Sequence, residues 1–358
     1  MSLGFPLTGR ISGGPTSEMH RPERFTEVTQ QPPASSLRHL GAGLLALLAA
    51  CQSHEPATVQ HPLSARSDRD AIGVFAGDEL FARVRVGFRE RMSISRLRAS
   101  NGIEVLRGFP LEPRPGESVD HPEQSGLWFG HGAMDGDDLW YGGGGGVVRE
   151  HVLRIDSDTS ASLIAQVEWN NDAGTRICGE QRRVRFQVDG PLHVVDVDMS
   201  LTASAKGLVF GDVKEGFFAA RLADPFRTSE GARTFGSTGA TGADLWGQRA
   251  RWIASTCAAT AGEVATVCVL EDPRNQGHPT RWQVRPYGLV AANPFARGAY
   301  TEDPDDDESV IVDSHGGVRL RYRIVVAPGP LSFNEVDALW AQFARESGVA
   351  VEASSAGP

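Results

Sequence analysis

The chain has 358 residues, a formal charge of −10 and 40% hydrophobic residues, a balance that suits one large soluble domain or two small ones. Lys is scarce and Arg is scattered, which excludes a basic face for nucleic acid. Arginines that alternate along a strand mark a solvated sheet face rather than a phosphate track. A modestly acidic surface suits neutral or cationic small ligands.

At the N-terminus, Arg38 and His39 precede an apolar run from Leu44 to Ala50, too short to span a bilayer as a stable helix. The order Leu48, Ala49, Ala50, Cys51 resembles the bacterial lipobox. The resemblance implies that residues 1–50 are a lipoprotein signal peptide and that Cys51 becomes the lipidated first residue of the mature chain. The leader is long, so translation starts at Met1 or at Met19. Gln52 and Ser53 follow, with no Asp at the position linked to inner-membrane retention. The expected product is therefore an exported lipoprotein of the outer membrane, facing the periplasm or the cell surface and touching the membrane only through Cys51. Residues 51–75 are polar, carry Pro and lack periodicity, as a flexible tether does. Residues 76–350 are expected to form one domain.

In that domain the hydrophobic period is two. Val184, Phe186 and Val188 alternate with Arg183, Arg185 and Gln187, Val195 to Leu201 alternate with Asp196, Asp198 and Ser200, and Val318 to Ile324 alternate with Arg319, Arg321 and Arg323. Each pattern gives a strand with one buried and one wet face. FARVRVGF, GIEVLRGF, SLIAQVEW, GLVFGD and SVIVDS are further candidates between Gly, Pro, Asn and Asp turns. Gly142 to Gly146 reads as a flexible loop, since it lacks the Lys and Ser/Thr of a phosphate loop, and Glu302 to Glu308 reads as a solvated acidic loop. One helix is expected, with Ser332 and Glu335 as a capping box and Val336, Leu339, Trp340 and Phe343 as its apolar stripe. The pattern predicts an all-β, mainly antiparallel fold of two large sheets with one C-terminal helix.

Cys257 and Cys268 lie in two strands joined by a Gly-containing turn. They can pair across a hairpin with Cys178 single, or all three can be buried and reduced. No Cys pair has the spacing of a zinc ribbon or a redox motif, and neither a metal nor a cofactor is expected. The oligomeric state is left open.

Four segments carry chemistry. Asp120 to Trp140 packs two His, four Asp, three aromatics and four Gly, a mixture that a packed core does not need. Phe210 to Arg221 places Asp212, Lys214, Glu215 and Arg221 among glycines and phenylalanines, and Lys214 beside Glu215 is either a surface pair or an acid/base couple. Trp246 to Trp252 carries two indoles with Arg249 and Arg251 between them. Asp272 to Phe295 carries Asn275, His278, Trp282, Arg285, Tyr287 and Asn293. Aromatic faces interleaved with Arg, Asn and Asp suit sugars, whose C–H patches stack while their hydroxyls take bidentate hydrogen bonds. A core of large aromatics with satisfied polar tips has the same composition.

Read in order, RGFP, DHP, GLWFGHG, FGDVKEG, WGQRARW, HPTRW, YGL and AANPF resemble the bacterial DUF6807 family, also called the methane oxygenase PmoA family, over about residues 80–345. That resemblance implies a galactose mutarotase-like supersandwich that takes a carbohydrate ligand. The methane label fits poorly, because no long apolar span follows Cys51. The family pattern DHPHHRGLWF is altered here at Glu123, Gln124 and Ser125, and WHVRDYGL at Gln283 and Pro286. An expected aromatic and His-containing strand reads Ser93, Ile94, Ser95. Gln does not titrate, so these changes remove proton-transfer capacity and leave polar recognition intact.

The retained residues carry two expectations. The first is a carbohydrate-active hydrolase, lyase or epimerase, with His121 or His131 as base and Lys214 or Glu215 as acid or partner. Arg107, Asp135, Asn275, His278 and Arg285 would then bind the ligand, with Trp128 or Tyr287 as platform. The alternative is a non-catalytic glycan-binding or structural envelope lipoprotein that has lost the chemistry.

Overall fold

A computed structural model describes residues 62–68, 70–87, 91–142, 145–258, 261–301, 303 and 305–348. The expected leader, Cys51 and the first part of the expected tether lie outside the described residues.

The chain runs through β1 (Leu63–Ser67), β2 (Ala71–Ala76), β3 (Glu79–Arg85), β4 (Ser93–Leu97) and β5 (Leu127–Phe129). Four long strands follow: β6 (Gly145–Ser157), β7 (Ser160–Asn170), β8 (Arg176–Asp189) and β9 (Leu192–Ala203). Next come β10 (Leu208–Phe210), β11 (Phe218–Arg221), β12 (Arg233–Gly236), β13 (Trp252–Thr256) and β14 (Thr266–Glu271). The last elements are β15 (Arg281–Arg285), β16 (Leu289–Asn293), α1 (Gly298–Thr301), β17 (Val310–Val312), β18 (Gly317–Ala327) and α2 (Phe333–Glu346).

Two eight-stranded sheets form, in the orders β1-β2-β3-β4-β5-β11-β16-β15 and β12-β13-β14-β18-β9-β8-β7-β6, and β10 pairs with β17. The pairings of the first sheet are antiparallel from end to end, as are those of the second. The period-two patterns explain this. Val184 and Phe186 of β8, Val195, Val197, Met199 and Leu201 of β9 and Leu320, Tyr322 and Ile324 of β18 all enter one core between the sheets, and their alternating partners face outward. The all-β, antiparallel two-sheet architecture with a C-terminal helix is therefore observed. In α2, Ser332 Oγ accepts from the Glu335 amide while Glu335 accepts from the Ser332 amide, the capping box read from the sequence. Val336, Trp340 and Phe343 bury against Trp252, Leu270 and Val325 on the outer face of the second sheet. No helix among the described residues is long and apolar enough to cross a membrane.

Three expectations change. The tether stops short of residue 75, because β1 and β2 pair into the first sheet and Leu63, Ile72 and Val74 join the core. GIEVLRGF makes isolated bridges, Arg98 with Glu104 and Leu106 with Leu222, in place of a strand. Its apolar spacing signals burial of Val105 and Leu106 rather than ladder pairing. In the glycine run, Gly145 and Gly146 open β6 opposite Asn170 and Trp169. A Cβ on Gly146 would lie 2.9 Å from Val167 Cγ1, so close approach to β7 requires glycine there.

Cys178, Cys257 and Cys268 are all free and buried. The β13/β14 register sets Cys268 opposite Ala254, and the Cys257 amide bonds Ala265 O. Cys257 joins the core between the sheets whereas Cys268 packs under α2. The two thiols face opposite sides of the sheet, so the hairpin disulfide does not form.

Candidate functional site

The outer face of the first sheet carries the site. Antiparallel register aligns Ser93, Trp128, Ala219, Ala291 and Gln283 across five strands. Period two puts them on the side opposite Leu127, Phe129, Phe218, Ala220 and Ala292, which line the core. The small side chains of Ala219 and Ala291 leave room above the sheet, and Trp128, Trp140 and Leu289 fill it as a separate apolar cluster with Tyr287 packed against it. The Trp128 and Trp140 rings lie 5.2 Å apart. Asp138 Oδ1 accepts from the amides of Trp140 at 2.9 Å and Tyr141 at 3.0 Å. This turn drives Trp140 inward and Tyr141 outward, where Tyr141 is 55% exposed.

Above this layer, the loop from Asp120 to Gln124 is held by two arginines that are 0% exposed. Arg107 donates to the Asp120 carboxylate at 2.5 Å and to the carbonyls of Asp120, His121 and Gln124 at 2.7, 2.9 and 3.0 Å. Arg221 donates to the same carboxylate at 2.5 Å and to Gln124 Oε1 at 2.7 Å. Burial pushes the Asp120 carboxyl up, but the Arg221 and Arg107 guanidiniums outweigh it and hold the group below the usual carboxylate range. Beneath the loop, the Arg221 guanidinium lies 4.5 Å from the centre of the Tyr287 ring. The His121 ring stacks on Tyr287 at 5.0 Å, with its Nδ1 3.0 Å from Glu123 Oε1.

The third wall is the turn from Asp212 to Gly216. Asp212 accepts from the amides of Arg297, Gly298, Ala299 and Glu308. Asn293 Nδ2 donates to Val213 O at 2.8 Å, and the Tyr300 hydroxyl donates to Lys214 O at 3.0 Å. With its backbone fixed, the turn presents Lys214 and Glu215 side by side. Lys214 Nζ lies 3.6 Å from Glu215 Oε1, and the Tyr141 hydroxyl lies 3.5 Å from the same oxygen. Partial burial, then the charges of Glu215 and Glu123, push the Tyr141 hydroxyl up to about 12. Arg285 sits 3.8 Å above the Trp246 ring, which meets Tyr300 edge-on at 5.1 Å. Tyr300 feels the charges of both Glu215 and Arg285. An exposed tyrosine ring, two carboxylates, an amine and a guanidinium therefore meet on one face. Among the described residues, no cluster of His, Cys, Asp and Glu is grouped to hold a metal.

Residues 76–341 match DUF6807, a family of unknown function. The chain belongs to DUF6807. No curated protein matches it. Among solved structures, it is similar to a candidate aldose 1-epimerase from Klebsiella pneumoniae, at 11% identity over 77% of this chain and 83% of that one, with a TM-score of 0.44. It is also similar to a galactose mutarotase-like protein from Clostridium acetobutylicum, at 9% identity over 75% and 99% of the two chains (TM-score 0.41). A polysaccharide lyase aligns at 8% identity over 79% of this chain and 34% of its own length, with a TM-score of 0.35.

The motifs of DUF6807 now have places. RGFP supplies Arg107, DHP supplies Asp120 and His121, FGDVKEG supplies the Lys214–Glu215 turn, and YGL supplies Tyr287. Of the residues expected to act, His121, Lys214, Glu215, Arg285 and Tyr287 reach the site. Arg107 supports it from below and does not face the opening.

The others stand elsewhere. His131 is 0% exposed, ringed by Phe210, Phe217 and Phe295, with Nε2 2.9 Å from Gly211 O. Burial lowers its pKa to about 4. It is a neutral core imidazole packed behind the turn, where a Cβ on Gly216 would meet its Nδ1 at 2.6 Å, and it cannot serve as a base for an external ligand. Trp128, one of the two expected platforms, is 0% exposed and covered by Trp140, and the other, Tyr287, has its ring packed against His121 and the Arg221 guanidinium, so the open ring at the site is that of Tyr141. Asp135 accepts from the Val209 amide at 2.7 Å and shapes a turn against β10. Asn275 bonds both the carbonyl and the amide of Arg321, extending the ladder beside β18. His278 lies 2.8 Å from the buried Glu271 carboxylate and stacks on Trp340 under α2.

Sequence reading missed Tyr141, Asp120 and Tyr300 as site residues, and it singled out Arg221 in its block without a role. Tyr141 had a signal, an aromatic directly after the polar segment and before a glycine run. The Arg221 contact had none, since it joins positions 101 residues apart.

Proposed function

We propose that this chain binds carbohydrate in the cleft between Tyr141, Lys214, Glu215, His121 and Tyr287. One observation carries the reading: an exposed Tyr141 ring stands beside Glu215 and Lys214, within electrostatic reach of Tyr287 and of Glu123, the partner of His121. Sugar C–H patches stack on such rings, while carboxylate, amine and guanidinium groups take paired hydroxyls. Recognition without turnover is the better supported form. His131 is sealed in the core, and Glu123 occupies the Nδ1 side of His121. A second reading, hydrolysis, elimination or epimerisation by acid/base chemistry, is favoured by Glu215 alone, which has both Lys214 Nζ and the Tyr141 hydroxyl within 3.6 Å.

The test is to incubate the purified full chain with a panel of oligosaccharides and keto-sugars, following affinity and products together. Binding without product is expected, with Tyr141→Ala weakening it about tenfold through lost stacking. Product formed by the wild type and abolished in Glu215→Gln would establish the second reading. Failure to bind any member of the panel would overturn both. The proposal includes export and lipid attachment at Cys51, for which the leader sequence is the support. Palmitate labelling of the wild type and its loss in Cys51→Ser would test it.

A further inference from the structure

The outer face of the second sheet is divided between α2 and a charged groove. The helix covers Val194, Trp252, Leu270 and Val325. Beyond its C-terminal end, a groove of about 350 Å³ runs to β8, and every residue lining it is charged. Register sets Arg183, Asp198 and Arg321 in one row, and Arg185, Asp196 and Arg323 in the next.

The carboxylates in the groove are already engaged from the β18 side. Asp198 is paired with Arg319, Arg323 grips Asp196 at 2.6 and 2.8 Å, and Glu346 closes on Arg323 at 2.7 Å. The β8 bank is left with open donors. Among the described residues, Arg183 makes no ion pair, and Arg185 donates to Ser160 Oγ at 3.0 Å and to no carboxylate. Two residues apart on one strand, their Cα atoms are about 7 Å apart on the same face. Five arginines against three carboxylates line the groove, which leaves it net positive in a chain whose formal charge is −10. The alternating arginines that read as a solvated face thus form one bank of a walled concavity.

We infer that this groove is a second binding site, taking a small ligand that carries oxyanions. Arg183 and Arg185 hold it from β8, while Arg321, already paired with Asp272, Glu346 and Asp196, borders it from β18. A planar guanidinium fork matches a carboxylate or a phosphate with two parallel hydrogen bonds. A groove of this volume admits a ligand of one or two sugar rings. A uronate and a phosphate ester share the chemistry required. The site lies on the opposite side of the sandwich from the Tyr141 cleft and does not depend on it.

The experiment titrates the full chain, at constant ionic strength, with inorganic phosphate, digalacturonate and an uncharged disaccharide, and adds sedimentation with anionic vesicles. Phosphate or digalacturonate is expected to bind, with affinity falling as salt rises and at least tenfold in Arg183→Gln/Arg185→Gln. The digalacturonate titration is run in the Tyr141→Ala background, which removes stacking in the carbohydrate cleft, and the same loss in Arg183→Gln/Arg185→Gln is expected there. Both arginines are exposed, so the double variant is expected to keep the wild-type melting temperature, which serves as the folding control. No binding by either anion, phosphate binding that survives the double substitution, digalacturonate binding that survives it in the Tyr141→Ala background, or capture by vesicles alone would overturn the inference. Phosphate binding without digalacturonate binding assigns the site to phosphate esters, and the reverse assigns it to uronates.

Discussion

Replacing Asp120 with Ala is expected to cost the fold about 2–3 kcal/mol and to weaken carbohydrate binding in the same variant. Its carboxylate is the shared counter-charge for Arg107 and Arg221, both 0% exposed. Removing one partner of a buried ion pair leaves an uncompensated charge, at a cost of about 3–5 kcal/mol. The lower figure applies because 40% of the Asp120 side chain meets solvent, which screens the loss. The functional effect follows from the same contacts. Arg107 holds the carbonyls of His121 and Gln124, and Arg221 supports the Tyr287 ring, so freeing the arginines loosens one wall of the cleft. Urea unfolding midpoints measure the first effect and calorimetry the second. Asp120→Asn keeps an acceptor and is expected to fall between wild type and Ala. An Ala variant with the wild-type midpoint and affinity would show that the loop is held by other means.

The second large effect is in pH. His131 has its folded pKa lowered to about 4 by burial, against an ordinary value of 6.5. The unfolded chain therefore takes up that proton first, and the stability His131 contributes is complete above pH 6.5 and lost as pH falls toward 4. Glu271 behaves oppositely. Burial raises it from 4.5 to about 7 against the opposing His278 bond, so its contribution is complete below pH 4.5 and lost as pH rises through 7. Between pH 5 and 6.5 these two slopes oppose each other, while burial of His193, which lowers its pKa as well, adds to the His131 side, so wild-type stability is expected to fall only gently as pH drops. Glu271→Gln removes one slope, and that variant is expected to lose about 2 kcal/mol between pH 6.5 and 5. Urea midpoints at four pH values in this window check it, since Asp120 and Asp272, both held below the usual carboxylate range, titrate lower. A wild-type profile as steep as that of Glu271→Gln would contradict the argument.

These two predictions rest on contacts that differ in how readable they were. The strand alternation of 183–188, 195–202 and 318–324 translated directly into β8, β9 and β18, because burial on one face repeats every second residue. The α2 cap was equally legible, since Ser332 and Glu335 are three residues apart. Residue type alone could not separate a ligand-facing His from a core His. His121 and His131 sit in one segment with the same neighbours in kind, yet one stacks on Tyr287 and the other is enclosed by three phenylalanines brought from 79 to 164 residues away. Trp128 misled for a related reason. It lies between Leu127 and Phe129, and all three are buried because β5 is covered on both faces, by the core below and by Trp140 above. Asn275 and His278 had the residue types of a polar site, but their partners, Arg321 and Glu271, are set by the packing of β18 and α2.

The most direct test of the account is hydrogen–deuterium exchange on the full chain, with and without a saturating oligosaccharide from the binding panel. Tyr141, the turn at Lys214 and Glu215, the loop from Asp120 to Gln124 and the strand end at Arg285 to Tyr287 form the proposed cleft. Slowed exchange is predicted in these four segments together, with no change around His278 and Asn275. Protection confined to other segments, or none at a concentration where binding is saturated, would contradict the assignment.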